Sequence, residues 1–303
     1  MDRRTFFKKS LAASVTAGSY LTLGRFAELP AFPLDLYDLI AVKGGEPDVM
    51  FDRGIEAAGG MKAFVKKGQK VVIKPNIGWD VPPERAGNTN PRLVSRIIKH
   101  CFDAGAKEIN VVDHPCDEWQ RCYGNSGIER AVKDAGGRMV PGNSESYYQA
   151  VKIPKGKSLT IAKEHEMILG ADVFINVPVL KNHSGTTLTI AMKNLMGNVW
   201  DRRFWHRNDL HQCIADFASY RKPDLNIVDA YNVMKSNGPR GISAEDVVTM
   251  KALLISTDIV AVDAAAAKLF GIKPEDVRHL KIADDMKIGR IGLDKLNIKR
   301  ITV

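Results

Sequence analysis

Between Lys181 and Gly197 the chain places Lys181, His183 and Lys193 close together, with Ser184, Thr186, Thr187 and Thr189 among them. An imidazole ordinarily titrates near pH ~6.5 and so can exchange protons at neutral pH, while a lysine ammonium supplies positive charge. Gly185 and the hydroxyls suit a loop whose backbone N–H groups face an anion ahead of a helix. Such a set supports binding of a small anion and proton transfer on it. The same residues also suit a plain strand-to-helix connection with solvated lysines, so the segment gains meaning only from what else comes near it.

Other polar residues recur where apolar runs end. Lys74-Pro75-Asn76 closes one run and is soon followed by Asn88-Thr89-Asn90. Asp113-His114-Pro115 closes a second, and Asp229-Ala230 closes another ahead of Gly238-Pro239-Arg240-Gly241. His183, Lys193 and His114 are therefore the candidate catalytic residues. Lys74, Asn76, Asn90, Lys181, Thr187 and Asn194 are the candidate substrate-binding residues. Trp200 to His211 mixes aromatics, arginines and histidines and reads as a lid or pocket wall, with His206 and His211 as candidate metal ligands. Asp258 and Asp263 head an Ala-rich helix, where a carboxylate at the start is favoured by the dipole.

These residues need a frame that brings run ends together. Lys70–Lys74, Glu108–Asp113, Asp172–Leu180, Leu225–Asp229 and Lys251–Ser256 are short apolar runs of buried-strand type. They alternate with helical patterns: one around Phe51–Lys66, one from Pro91 behind capping Asn90 to Gly105, then Ile128–Ala135, Leu188–Leu195, Asp258–Phe270 and Lys273–Met286. Residues 141–165 and 198–210 read as irregular. Alternating strands and helices predict an α/β fold, a mainly parallel sheet with helices on both faces, Rossmann-like. In such sheets sites gather at the carboxyl ends of the strands.

The N-terminus reads Met-Asp-Arg3-Arg4-Thr-Phe6-Phe7-Lys8, followed by a modestly apolar stretch, Ser10–Leu23. This is a twin-arginine signal, a receptor-read address, so residues 1–31 are expected to be a leader and 32–303 a single α/β domain. Cleavage after Ala31 is one outcome and a retained signal helix the other; no other span is expected. The translocase is an expected partner and the location periplasmic or otherwise exported. That route serves proteins that fold, often around a cofactor, before crossing the membrane.

Net charge is +9, and residues 1–28 hold five basic and two acidic residues, leaving about +6 for the rest. No Lys/Arg run marks a nucleic-acid patch, whereas a moderate positive balance suits anionic small molecules. Cys101, Cys116, Cys122 and Cys213 form no C-x-x-C pair and no ferredoxin-type motif. Cys116 and Cys122 are close enough in sequence for a disulfide, and Cys101 and Cys213 read as isolated buried thiols.

The set Val71-Val-Ile-Lys-Pro-Asn76, Asn90-Pro91, Leu180-Lys-Asn-His183, Thr187 through Gly197, His211 with Ile214 and Asp216, and Asp258-Ile-Val-Ala-Val-Asp263 resembles domain-of-unknown-function family 362. The resemblance spans roughly residues 70–270. Some members carry an iron–sulfur module, whose cysteines are missing here. The layout also resembles the N-terminal domain of nickel-pincer lactate racemases. That likeness implies His114 as a strand-end catalytic histidine. It implies His183 as a second one, ten residues before the cofactor-tethering lysine at Lys193, and His206 or His211 as a nickel ligand.

The reading is an exported enzyme acting on a small anion in a Lys/His cleft, with a metal such as nickel or iron as an open option. Lactate-racemase-like isomerisation of an α-hydroxy acid is its sharper form. The rivals are a non-catalytic periplasmic carrier of a metal or cofactor and a redox accessory protein.

Overall fold

The computed structural model describes residues 37–303, so the expected leader, residues 1–31, lies outside the described residues. The described chain begins with β1 (Leu39–Lys43), α1 (Pro47–Ala57), β2 (Lys70–Pro75), α2 (Pro91–Asp103), β3 (Glu108–Val112), α3 (Trp119–Asn125), α4 (Ile128–Asp134) and β4 (Arg138–Val140). Next come β5 (Tyr148–Lys152), β6 (Ile161–His165), α5 (Glu166–Leu169), β7 (Val173–Val177), β8 (Val179–His183), β9 (Thr187–Thr189) and α6 (Ala191–Asn194). Then follow α7 (Arg202–Arg207), α8 (Leu210–Tyr220), β10 (Leu225–Met234), β11 (Val247–Ser256), α9 (Ile259–Phe270), α10 (Arg278–Asp285) and β12 (Ile298–Thr302).

Ten strands form one sheet in the order β12-β1-β11-β10-β7-β2-β3-β4, with β8 pairing to β10 and β9 to β8. The run β10-β7-β2-β3-β4 is parallel throughout, as are β1 with β12 and β8 with β10. β11 lies antiparallel between β10 and β1, and β8 and β9 form an antiparallel hairpin. The fold is α/β with a mainly parallel sheet, as the alternation predicts.

Each central strand feeds two cores, because successive side chains point to opposite faces. Val71 and Ile73 of β2 join one core, with Phe51 of α1 and Leu93, Ile97 and Ile98 of α2. Val72 joins the other, with Ile214 and Phe217 of α8, Ile259 of α9 and Leu280 of α10. α2 shows the local logic well. Pro91 stands in its first turn, the Asn90 side chain accepts from the Arg92 N–H at 3.0 Å, and its apolar stripe Leu93, Val94, Ile97, Ile98 and Cys101 is buried.

Several boundaries differ from the sequence reading. α1 runs Pro47–Ala57 rather than around 51–66, because Gly59 and Gly60 at φ +92° and +78° break it. Of the Leu188–Leu195 pattern only α6 is α-helical, running into a 3-10 turn at Leu195–Asn198. Thr187–Thr189 instead pairs back onto His183–Lys181 as β9. β-branched Thr189 fits that ribbon. Residues 141–165 are not irregular but hold the β5–β6 ribbon, and α7 lies within 198–210. Asp172–Leu180 divides at Pro178 into β7 and the start of β8. All four cysteines are free thiols, with Cys101, Cys122 and Cys213 buried and Cys116 exposed, so no Cys116–Cys122 disulfide forms.

Candidate functional site

The exits of β2, β3 and β8 meet α6 and α7 around one cavity of about 420 Å³, lined among others by Lys74, Asn76, Asp113, His114, Lys181, His183, Lys193, Asn194, Arg202 and His206. Two turns of structure bring Lys193 and Asn194 there. α6 starts where the Asp263 carboxylate of α9 accepts from the Ala191 N–H at 2.7 Å and the Met192 N–H at 2.9 Å. A carboxylate at that end satisfies two otherwise orphaned donors and fixes where the following turn points.

The floor of the cavity is a closed hydrogen-bond network. Lys74, 1% exposed, pairs with Asp113 Oδ1 at 2.8 Å and also donates to the Pro75 carbonyl at 2.9 Å and Asn194 Oδ1 at 3.0 Å. Asp113 further accepts from the Ile77 N–H at 2.6 Å and the His114 N–H at 2.9 Å. Asn194 Oδ1 accepts from Asn76 Nδ2 at 2.9 Å, and Asn194 Nδ2 donates to Asn176 Oδ1 at 2.9 Å. Lys181 donates to the Gly87 carbonyl at 2.5 Å and Asn76 Oδ1 at 3.2 Å. Gly197 closes over this network so tightly that a Cβ there would stand 1.9 Å from Asp113 Oδ1 and 2.7 Å from Lys74 Nζ. Only glycine permits that approach.

Lys193 is different. It lines the cavity, yet its ammonium makes no hydrogen bond or ion pair among the described residues. Burial, together with the nearby charges of Arg202 and Lys74, draws it down to about 8. Burial brings Lys181 down to about 7 and lowers Lys74 against the opposing pull of Asp113. Asp113 is the one carboxylate among the lining residues, and it is spent on Lys74. The remaining field favours an anion.

Two of the three cavity histidines, His114 and His183, are held in opposite tautomers by their backbone partners. His114 Nδ1 lies 3.0 Å from the Val199 carbonyl, which can only accept, so Nδ1 carries the proton and Nε2 presents a lone pair. His183 Nδ1 receives the Gly185 N–H at 3.0 Å, so its proton sits on Nε2, a donor. Burial holds both neutral, His114 at about 4 with help from Arg202 and His183 at about 3 with help from Lys193 and Lys181. The His114 ring stacks on Trp200 at 5.0 Å and 3°. Arg202 clips the β3 exit to α7, donating to the carbonyls of His114 at 2.7 Å and Pro115 at 2.6 Å.

Of the candidates from sequence, Lys74, Asn76, His114, Lys181, His183, Lys193, Asn194 and His206 converge on the cavity. Three are not brought there. Asn90 caps α2, and its N–H donates to Asp229 at 2.7 Å. Thr187 is exposed at φ +65° in the β8–β9 turn; Thr189, two residues on and back on the inner face, lines the cavity in its place. His211 faces His279, not the cavity. Sequence reasoning missed Asp113 and Arg202. The Asp113-His114-Pro115 strand end and the arginines of the Trp200–His211 run were the available signals.

A metal held in this cavity by protein donors alone is not supported, since no three His, Cys, Asp or Glu side chains gather at ligand spacing among the described residues. A lysine-bound or anionic group fits better, with Lys193 free to hold it.

The model of one family matches residues 71–268, a family described as a domain of unknown function, DUF362. The chain belongs to the DUF362 family. A thylakoid-associated protein of Synechocystis sp. is 28% identical over 256 residues, covering 79% of this chain and 73% of that protein. The lactate racemase apoprotein of Thermoanaerobacterium thermosaccharolyticum is a solved structure with a TM-score of 0.45 at 14% identity. The match covers 70% of this chain, which spans about half (53%) of that structure. The family match encloses β2 through most of α9 and therefore every cavity residue named above. No helix among the described residues of this DUF362 protein is long and apolar enough to cross a membrane.

Proposed function

We propose that this DUF362 protein binds a small carboxylate- or phosphate-bearing molecule in the strand-end cavity and transfers a proton on it. The observation that carries the reading is the pair of opposite tautomers around an unengaged ammonium. His114 Nε2 accepts a proton, His183 Nε2–H donates one, and Lys193 anchors the anion. A neutral acceptor and a neutral donor in one site are what general acid–base catalysis on a carbon or oxygen next to an anionic group requires. Arg203 and His206, on α7, add a cation and a further polar group at the rim. 2-Hydroxy acids belong in the ligand panel because His183 and Lys193 stand at the racemase-like spacing of ten. We also infer export by the twin-arginine route, on the Arg3-Arg4 sequence; Arg3→Lys with Arg4→Lys should leave the protein in the cytoplasmic fraction.

The test is a thermal-shift panel of small carboxylates and phosphates, followed by proton NMR in D₂O for C–H exchange in each hit. Ligands should raise the melting temperature of the wild type and not of Lys193→Met. Exchange should be lost in His114→Gln while the thermal shift remains. If no carboxylate or phosphate shifts the wild type, the reading fails. A shift with no exchange in any hit removes the catalytic half and leaves a binding protein.

A further inference from the structure

Five cationic side chains line the cavity, Lys74, Lys181, Lys193, Arg202 and Arg203, against one carboxylate, Asp113. Asp113 pairs with Lys74 at 2.8 Å, and the other four cations have no carboxylate partner among the described residues. Lys181 donates only to neutral oxygens, the Gly87 carbonyl and Asn76 Oδ1. Arg202 donates to the carbonyls of His114 and Pro115 and to the Cys116 sulfur. Lys193 and Arg203 have no hydrogen-bond or ion-pair partner among the described residues. Asp201, beside Arg202 in sequence, is spent on capping α7 through the Phe204 N–H at 3.2 Å. Four cations therefore face a volume of about 420 Å³ without a counter-charge, and three remain even when Lys181 is neutral. A cleft lined by one sign of charge concentrates ligands of the other sign. A single negative charge would leave most of this excess standing.

The cations are also spread in depth. Lys181, on β8, is 1% exposed at the floor, whereas Arg203, on α7, is exposed at the rim. The charge of Lys193 reaches both Lys181 on the floor and His206 at the rim. We propose that the ligand of this cavity is a bis-anion, a small organic molecule with two anionic groups of the carboxylate or phosphate class, one held by Lys193 with Lys181 behind it and the other by Arg203 at the mouth. The proposal rests on the reading of the cavity as an anion site and narrows it. A cavity of about 420 Å³ falls in the range of organic-ligand sites, about 300–1,000 Å³, so a second charged group has room. A monocarboxylate such as lactate would satisfy Lys193 and leave Arg203 unanswered.

Proton uptake follows from the same arrangement. Burial first, and then repulsion among the cations, draws Lys193 down to about 8 and Lys181 to about 7. Lys74 acts on both lysines in that direction and Arg202 on Lys193, while Asp113 and Cys116 oppose it. An anion brought beside either lysine favours its charged form. Binding at pH 8 therefore takes protons from solution.

The experiment uses the full chain and matched acids that differ by one anionic group: lactate against malate, and glycerate against 3-phosphoglycerate. Calorimetry at pH 7 gives the affinities, and at pH 8 in two buffers of different ionisation enthalpy it gives the protons taken up. In at least one pair the bis-anion should bind at least about tenfold more tightly than its monoanion, a difference of about 1.4 kcal/mol. Which pair shows the gain tells carboxylate from phosphate at the mouth. The preference should shrink to about threefold or less in Arg203→Gln and reverse in Arg203→Glu. The melting temperature of ligand-free Arg203→Gln should match the wild type, since Arg203 is exposed, which separates a lost contact from misfolding. Equal affinities within both pairs, an unchanged preference in Arg203→Glu, or binding without proton uptake would overturn the proposal and leave the anion site standing. No binding by any of the four acids would overturn the anion site itself, and the bis-anion with it.

Discussion

The floor and the rim of the cavity are built from the same residue types and behave in opposite ways. On the floor, Lys74 has three partners and Lys181 two. At the rim, Lys193 has none among the described residues and Arg203 and His206 are exposed. A buried ion that is fully hydrogen-bonded is part of the architecture, because removing one partner strands the other. A desolvated ammonium with no partner among the described residues works against the fold and is available to hold a ligand. Residue type alone would have ranked the three lysines equally; their partners separate them.

That contrast can be broken most forcefully at Asp113. Asp113→Ala leaves Lys74 buried without its counter-charge and should lower folding stability by about 3–5 kcal/mol in denaturant titration. A loss under about 1 kcal/mol would show the floor to be dispensable. Gly197→Ala tests the closure above the same ion pair. Overpacking of that kind costs about 1–3 kcal/mol, and the melt should report it along with weaker ligand binding as Asn194 is displaced.

Lys193→Met should leave stability unchanged or raise it at neutral pH in the same titration, because it removes a buried ammonium with no partner among the described residues, while anion affinity measured by calorimetry falls at least tenfold. A large stability loss there would place Lys193 on the floor instead. The smallest effect is a pH dependence. Lys193, drawn down to about 8, is charged below that value and neutral above it. Anion affinity should hold from pH 6 to 7 and fall as pH rises through about 8, well before an ordinary lysine would titrate near ~10.4. Its effect on stability has the other sign. The lowered value means the unfolded chain binds the extra proton between about 8 and the ordinary range, so the wild type loses stability as pH falls through that window and Lys193→Met does not.

Much of the site was legible because parallel α/β architecture has a simple rule of place. Once Lys70–Lys74, Glu108–Asp113 and Asp172–Leu180 are read as strands, their exits must share one edge of the sheet. Lys74, His114, Lys181 and His183 are then neighbours without any knowledge of distance. The rule fails for residues whose role is local. Asn90 sits next to a strand exit in sequence but is used up capping α2, and Thr187 is turned outward by a hairpin that helical spacing had hidden.

The sequence by itself determined the family, the order of strands and helices, and which polar residues would stand at the strand ends, because hydrophobic periodicity and the strand–helix alternation are local properties of the chain. The tertiary structure alone decided which lysine is free, which nitrogen of each histidine carries the proton, and that His211 answers to His279. Those outcomes depend on single hydrogen bonds and ring contacts between distant segments, Lys74 with Asn194 across 120 residues and His114 with Val199 across 85. No local pattern encodes a partner that far along the chain.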